Sequence, residues 1–378
     1  MIKWLLKYSV VIFLLNTILL SIDFTISFAN QLFFVIMAMY ALFLIMNPRL
    51  IKTVIFHKSF NLFLVLNFIN IFYFVVFHSF NDIEAIKYLL ARIVQFSIIS
   101  ISIYFNYNFY KDNFLDFLVN VVSFVIFISL LYNIDVFSDR YSGIIWNPNT
   151  LCSFTSIAFG ILFLNKKTKN SFYFFRLIIL FLITIATGSR GAIVAITLVF
   201  LFKYGVTYRN IFYSVIGLVF YFIVVDLQFD TSINRFASQA LFHDRVLQYQ
   251  YAYETLMQKP FIGFGLDKYA YINTALIPDH LIMYNISAHN GYLAILTQYG
   301  VVIGGVILYF ILSKSLLVFN YFRTSKKIEK TYLFILFYAL FASIYETMLT
   351  GINEFHTILF WFSLAYLSFV KNRNELKS

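Results

Sequence analysis

Three basic residues in this chain sit where an apolar segment begins. Arg190 stands in TGSRGAIVAI (187–196), Arg245 in HDRVLQYQ (243–250) and His289 in SAHNGYLAIL (287–296). Each is placed at or near a helix N-terminus, with Ser189 spaced as an N-cap for the first. Free backbone amides and the positive end of the helix dipole favour an anion there, and an arginine fork matches phosphate oxygens. A neutral imidazole can accept a proton near neutral pH. The chemistry within reach is therefore anion binding joined to proton transfer.

Each residue also has a plainer reading. Arg190 alone serves equally well as a snorkelling side chain closing a hairpin, although no Asp or Glu occurs from Ser142 to Val225 to neutralise it. Arg245 alone is a solvated helix charge and His289 a cap. Segments that cross a membrane in one direction all present their N-termini on one side, so topology supplies part of the coincidence. Arg92 shifts the balance, because a cation two turns into an apolar segment is costly unless it faces a polar cavity. Arg140 and Arg235 fall in exposed loops and read as solvated charges. Glu346 and Glu354, near the last outer turn, stay open as partners for the arginines.

The elements that must position these residues are membrane spans. The 378 residues are 61% hydrophobic and 12% charged, about half the charge that a soluble surface of this size needs. Segments of about 20 apolar residues centre near Phe13, Met37, Phe68, Phe96, Phe124, Ala158, Leu180, Thr197, Gly217, Gly304, Tyr338 and Leu359. The expectation is an all-α polytopic membrane protein of about 12 transmembrane helices, with residues 1–378 forming a single integral-membrane domain. Cys152 is the one cysteine, so no intrachain disulfide forms. Lys3 and Lys7 ahead of an apolar run imitate a secretory signal, but cleavage would put the charge alternation out of register, so the first segment is expected to be retained.

Of the 28 basic residues, 20 fall in loops on one side, which the positive-inside rule makes cytoplasmic. Both termini then lie in the cytoplasm. The net charge of +11 thus sets topology, and no nucleic acid is expected as a partner. Residues 226–287 form the one long loop on the opposite, extracytoplasmic side, between spans nine and ten. Within it Val246, Tyr249, Tyr253, Leu256 and Met257 recur at helical spacing from Asp244 to Lys259, and Pro260, Gly263 and Gly265 end the run. This reads as an amphipathic helix lying on the membrane surface or over a cavity. GFG at 263–265 lacks the further glycine and the strand of a dinucleotide fingerprint. His57, His78, His243, His280, His289 and His356 are scattered without metal-ligand spacing. No metal and no cofactor are expected.

In this order on a polytopic chain, TGSRGA (187–192), DRVLQYQYAYETLMQKPFIGFG (244–265) and AHNGYLAILTQYGVVIGG (288–305) resemble the O-antigen polymerase and O-antigen ligase superfamily. RYSGIIWNPNTL (140–151) looks like that family's Gly-x-x-x-Asn-Pro-Asn element. The matches span residues 140–305, and Asp244 stands where the family pattern usually has Gly. The resemblance implies a helical fold of the lipid-sugar-using GT-C class of glycosyltransferases. It also implies a metal-independent transferase acting at the periplasmic face of the bacterial cytoplasmic (inner) membrane on sugars carried by undecaprenyl pyrophosphate. Motif by motif, Arg190, Arg245 and His289 take the catalytic roles. Arg92, Ser189, Asn290, Tyr249, Tyr253 and Asn149 are the expected substrate-binding residues.

The expected partners are the undecaprenyl-pyrophosphate-linked oligosaccharide, the lipid bilayer and a chain-length regulator. Charge builds on a departing pyrophosphate, and fixed arginines can meet it without a metal. The reading is a polymerase that moves glycan from its lipid carrier to a lipid-linked repeat unit. The alternative is a ligase transferring glycan to lipid A core. Polymerase is preferred because Asn290 directly follows His289 and because the loop shows no device for docking a larger glycolipid. A transporter or flippase for lipid-linked sugars predicts ionisable residues near the midplane and repeat symmetry, whereas the charges here gather toward one face.

Overall fold

The computed structural model describes residues 2–77, 79–136, 140–165, 171–205, 207–213, 215–216, 243–283, 286–325 and 328–376. Among the described residues before the long loop are α1 (Ile2–Leu20), α2 (Ile26–Met46), α3 (Pro48–Ile55), α4 (Asn61–Val76), α5 (Ile83–Asp112), α6 (Phe114–Tyr132), α7 (Pro148–Leu164), α8 (Ser171–Ala186) and α9 (Arg190–Tyr204), with a further helical stretch at 208–213. The loop contributes α10 (His243–Gln258), and α11 (Gly291–Phe322), α12 (Glu329–Ala342) and α13 (Phe355–Glu375) complete the bundle. Among the described residues the sole β pairing is an isolated bridge between Ile22 and Ile145.

Eleven of the twelve expected span centres fall in these helices, and Gly217 lies outside the described residues. Among the described residues five helical segments can cross a membrane by length and composition: Asp23–Met46, Lys58–Val76, Ile83–Asp112, Phe114–Tyr132 and Gly291–Phe322. The shorter apolar helices α1, α7 and α8 pack among them. The chain thus has the character of a multi-pass membrane protein.

Burial follows from composition around each helix. In α13 nearly every side chain from Phe355 to Val370 is buried, as expected of a helix that is apolar on all sides. It is the central post, packed on α1, α5, α11 and α12. In contrast α2, α4, α6 and α11 expose Phe34, Phe68, Phe72, Phe124, Phe127 and Tyr309, a surface suited to lipid. Several hydroxyls inside the bundle are satisfied within their own helix. The hydroxyls of Ser100, Thr184, Ser315 and Ser368 donate to the carbonyls four residues earlier, which hydrocarbon surroundings demand.

The loop helix begins and ends within one residue of its expected bounds, but its buried side differs. Tyr251, Ala252, Thr255 and Leu256 turn inward, while Val246, Tyr253 and Met257 are exposed. Inward packing is set by a small second core of Tyr251, Ala252, Ile272, Ile277, Ala288 and Ala294, where alanines let α10 approach α11. Of the apolar stripe that the spacing marks, Val246, Tyr253 and Met257 are left outside, Leu256 is buried and Tyr249 is half-buried against the 343–354 turn.

Helix α11 is broken at Gly300 (φ 71°, ψ 170°). A break frees backbone groups that need partners, and the 260–266 segment supplies them. Phe264 and Gly265 amides donate to the Thr297 and Gln298 carbonyls at 3.0 and 3.1 Å, Val301 donates to Pro260 O at 2.6 Å, and the Tyr73 hydroxyl takes the Tyr299 carbonyl. Gly263 (φ 67°) faces this break so closely that an added Cβ would lie 2.5 Å from Gln298 O and from Gly300 N; one on Gly300 would lie 2.3 Å from Phe261 O. The GFG stretch is thus a backbone clamp.

Both positions combine left-handed φ with backbone crowding, at a cost of about 1–3 kcal/mol or more for a side chain. Gly305, in the same helix, has open space around its Cβ direction. Thermal unfolding in detergent should show Gly263→Ala and Gly300→Ala markedly destabilised and Gly305→Ala unchanged or stabilised. Equal effects at all three positions would remove the clamp from the account.

Candidate active site

The turn between α12 and α13, residues 343–354, gathers the sequence-marked residues around one carboxylate. Arg245 Nη2 donates to Glu346 Oε1 at 2.9 Å, and its Nη1 donates to Gln248 Oε1 at 2.9 Å. His289 Nδ1 lies 3.2 Å from Glu346 Oε2. Asn149 Nδ2 donates to Glu346 Oε1 at 3.3 Å and its Oδ1 accepts from Arg140 Nη2 at 2.5 Å. Three segments far apart in sequence therefore meet on Glu346.

Local structure explains how each arrives. Asn147 caps α7, accepting from the Asn149 amide at 2.8 Å, and Pro148 at the first helical position needs no amide partner. Ser189 caps α9 through the Gly191 amide, fixing the start at Arg190. Asn290 caps α11, accepting from the Tyr292 and Leu293 amides at 3.0 Å and donating to Ile344 O at 2.9 Å. The Gly291 amide donates to the Ser343 and Glu346 carbonyls. Asn290 and Ser189 are thus occupied as caps.

Arg190 is half-buried, and with Arg245 and Glu346 it acts electrostatically on the Tyr249 hydroxyl. Burial pushes that hydroxyl up and the two arginines pull it down, leaving it raised overall. Tyr249 is committed to the turn, donating to Ile344 O at 2.5 Å. Tyr253 is exposed.

Arg92 does not join the cluster. It is 3% exposed and donates through Nη2 to the carbonyls of Leu349, Thr350 and Gly351. The rings of Tyr88, Phe96 and Trp361 surround it at 5.3, 5.6 and 6.0 Å, beside an internal cavity of about 30 Å³ that Gln298 and Thr350 also line. It holds the same turn from the bundle interior. Arg140, read from the sequence as an exposed loop charge, is instead half-buried, with Nε donating to Thr187 O at 3.1 Å. It ties the 187–190 turn to Asn149, and so to Glu346. Its position in the RYSG element, seven residues before the Asn147 cap of α7, is the sequence signal that could have found it.

Burial works to raise the Glu346 carboxyl. The hydrogen bond from His289 and the charges of Arg245, His289 and His356 outweigh burial, so the carboxyl is held below its usual range. His356 in turn pairs with Glu354, Nε2 to Oε2, at 3.1 Å. Among the described residues no three His, Cys, Asp or Glu side chains gather where a metal ion could be held. The arrangement holds a guanidinium and an imidazole side by side on one carboxylate.

A carboxyl depressed by folding stabilises the fold fully above the unfolded glutamate value of about 4.3, and that stabilisation is lost as pH falls through the lower folded value. Wild type should melt above Glu346→Gln at neutral pH, with the gap closing on acidification below about pH 4. A gap independent of pH would show that the ionised carboxylate is not what the turn uses.

No curated protein matches the chain significantly. A family model described as O-antigen ligase matches residues 175–310, which contain Arg190, Arg245 and His289, and supports for this chain the O-antigen polymerase and ligase superfamily.

Proposed function

We propose that this protein is a surface-polysaccharide polymerase that transfers a glycan from undecaprenyl pyrophosphate to a lipid-linked repeat unit at the periplasmic face of the inner membrane. The family match supports polymerase or ligase activity in general. The observation that carries the reading is the meeting of Arg245, His289 and Asn149 on Glu346, with Arg190 acting on the adjoining Tyr249.

The acceptor hydroxyl attacks the anomeric carbon of the donor glycan, the new glycosidic bond forms, and the bond to pyrophosphate breaks. Arg190 and Arg245 meet the charge that builds on the departing undecaprenyl pyrophosphate. His289 takes the acceptor proton. Direct attack opposite the leaving group inverts the anomeric configuration. The exposed apolar side of α10, with Val246, Tyr253 and Met257, suits contact with the bilayer that supplies both lipid-linked substrates. Arg140, tied to the same network, joins the residues that hold the site together.

Deleting the gene and separating surface glycans on a gel distinguishes the readings. Core bearing one repeat means polymerase, bare core means ligase, and an intact ladder defeats both. Arg190→Lys retains charge but loses the planar fork, so complementation should fall about a hundredfold or more at normal membrane levels. Undiminished activity would return Arg190 to a purely structural role.

A further inference from the structure

We propose that Glu346 is the positioning residue of the proposed transferase site, fixing His289 in the tautomer protonated on Nδ1 so that Nε2 offers its lone pair to the acceptor hydroxyl. This rests on the reading above, in which His289 takes the proton. An ionised carboxylate can only accept hydrogen bonds. Its contact with His289 at 3.2 Å is made by Nδ1, so Nδ1 carries the hydrogen and Nε2 of the neutral ring carries none. The depressed carboxyl is consistent with the ionised form.

The backbone supports the same assignment. His289 has φ 38°, and among the described residues it is the one non-glycine with positive φ. Such a conformation is uncommon and persists where neighbours over-determine it. Here Asn290 is bound to Ile344 O, and the Gly291 amide to the carbonyls of Ser343 and Glu346. The strained residue thus aims its ring at the turn that carries Glu346.

The two oxygens of Glu346 have different partners. Arg245 Nη2 and Asn149 Nδ2 both donate to Oε1, and His289 alone meets Oε2. A glutamine here must place its carbonyl oxygen toward the two donors, because its amide group would confront them. Its NH2 then points at His289 Nδ1 and forces that nitrogen to accept. The proton moves to Nε2, and the ring no longer offers a base toward the acceptor. Glu346→Gln is therefore nearly isosteric and yet reverses the tautomer.

The test uses the full-length protein in lipid nanodiscs with 15N-labelled histidine at about pH 8, above the usual histidine range. His289 is assigned by difference from His289→Asn. Nitrogen NMR should show His289 protonated on Nδ1 in wild type and on Nε2 in Glu346→Gln. In parallel, glycan transfer between purified lipid-linked repeats should lose on the order of a thousandfold in kcat, with KM little changed, and Glu346→Asp should recover part of the loss. A wild-type His289 protonated on Nε2, a tautomer indifferent to Glu346→Gln, or full activity in that variant overturns the proposal. Should Glu346→Gln fail to accumulate, the wild-type tautomer and the Glu346→Asp rate decide in its place. If wild type transfers no glycan while the tautomers reverse as expected, it is the polymerase reading that falls, and the nitrogen spectra still judge the role of Glu346.

Discussion

The arrangement depends on one turn and the carboxylate within it. Residues 343–354 join two of the most buried helices, α12 and α13, and nearly every bond that orients the site ends on them. From the loop side, Arg245 and His289 reach the Glu346 carboxylate, while Tyr249 and Asn290 reach the Ile344 carbonyl. From the bundle side, Arg92 holds the carbonyls of 349–351, Gln95 that of Ile352, and the Trp361 indole that of Leu349. The turn is thus pinned from within before it pins anything else. A lone buried cation is expensive, and the convergence of several carbonyl dipoles on Arg92 is what makes the position tolerable.

A second constraint works at the other end of the loop. The break at Gly300 and the clamp of 260–266 fix where α10 ends relative to α11, while Glu346 fixes where α10 and α11 begin. Arg245 and His289 belong to those two beginnings. Held at both ends, the pair has little freedom to drift, which matters because a reacting group misplaced by about 1 Å can lose two orders of magnitude in rate. Two small cores, one apolar and one made of main-chain bonds, therefore serve a single distance.

The sequence is a good guide to this protein wherever the signal is local. Hydropathy places eleven helices, and the polar-to-apolar transitions at Ser189–Arg190 and His289–Asn290 mark real caps. It is a poor guide where partners are distant or carry no side-chain signature. Arg92 bonds to main-chain carbonyls some 257 residues away, and any residue type supplies a carbonyl. Glu346 is 101 positions from Arg245, so its role was open until the turn was folded. The stripe Val246, Tyr249, Tyr253, Leu256 and Met257 has genuine helical spacing, but spacing gives a side and not what faces it, and of the five only Leu256 is buried. Small residues such as Ala252 and Ala288 decided that. Span lengths blurred too, since several helices are too short to cross a bilayer on length alone.

On the proposed reading a carboxylate sits at the centre of an anion site, which looks self-defeating, and the geometry of Arg245 explains why it is not. Arg245 reaches Glu346 through Nη2 and Gln248 through Nη1, so both ends of its fork are held in one plane before any substrate arrives. On the proposed reading an incoming pyrophosphate meets a guanidinium already oriented, and little reorganisation remains for the step in which charge develops. The same carboxylate carries His289 on its other oxygen. Donor and acceptor chemistry are then referred to one rigid group, and any displacement of Glu346 that spoils leaving-group binding also misaligns the base. Coupling of this kind suits the proposed transfer between two lipid-linked substrates, because neither half of the site is assembled without the other.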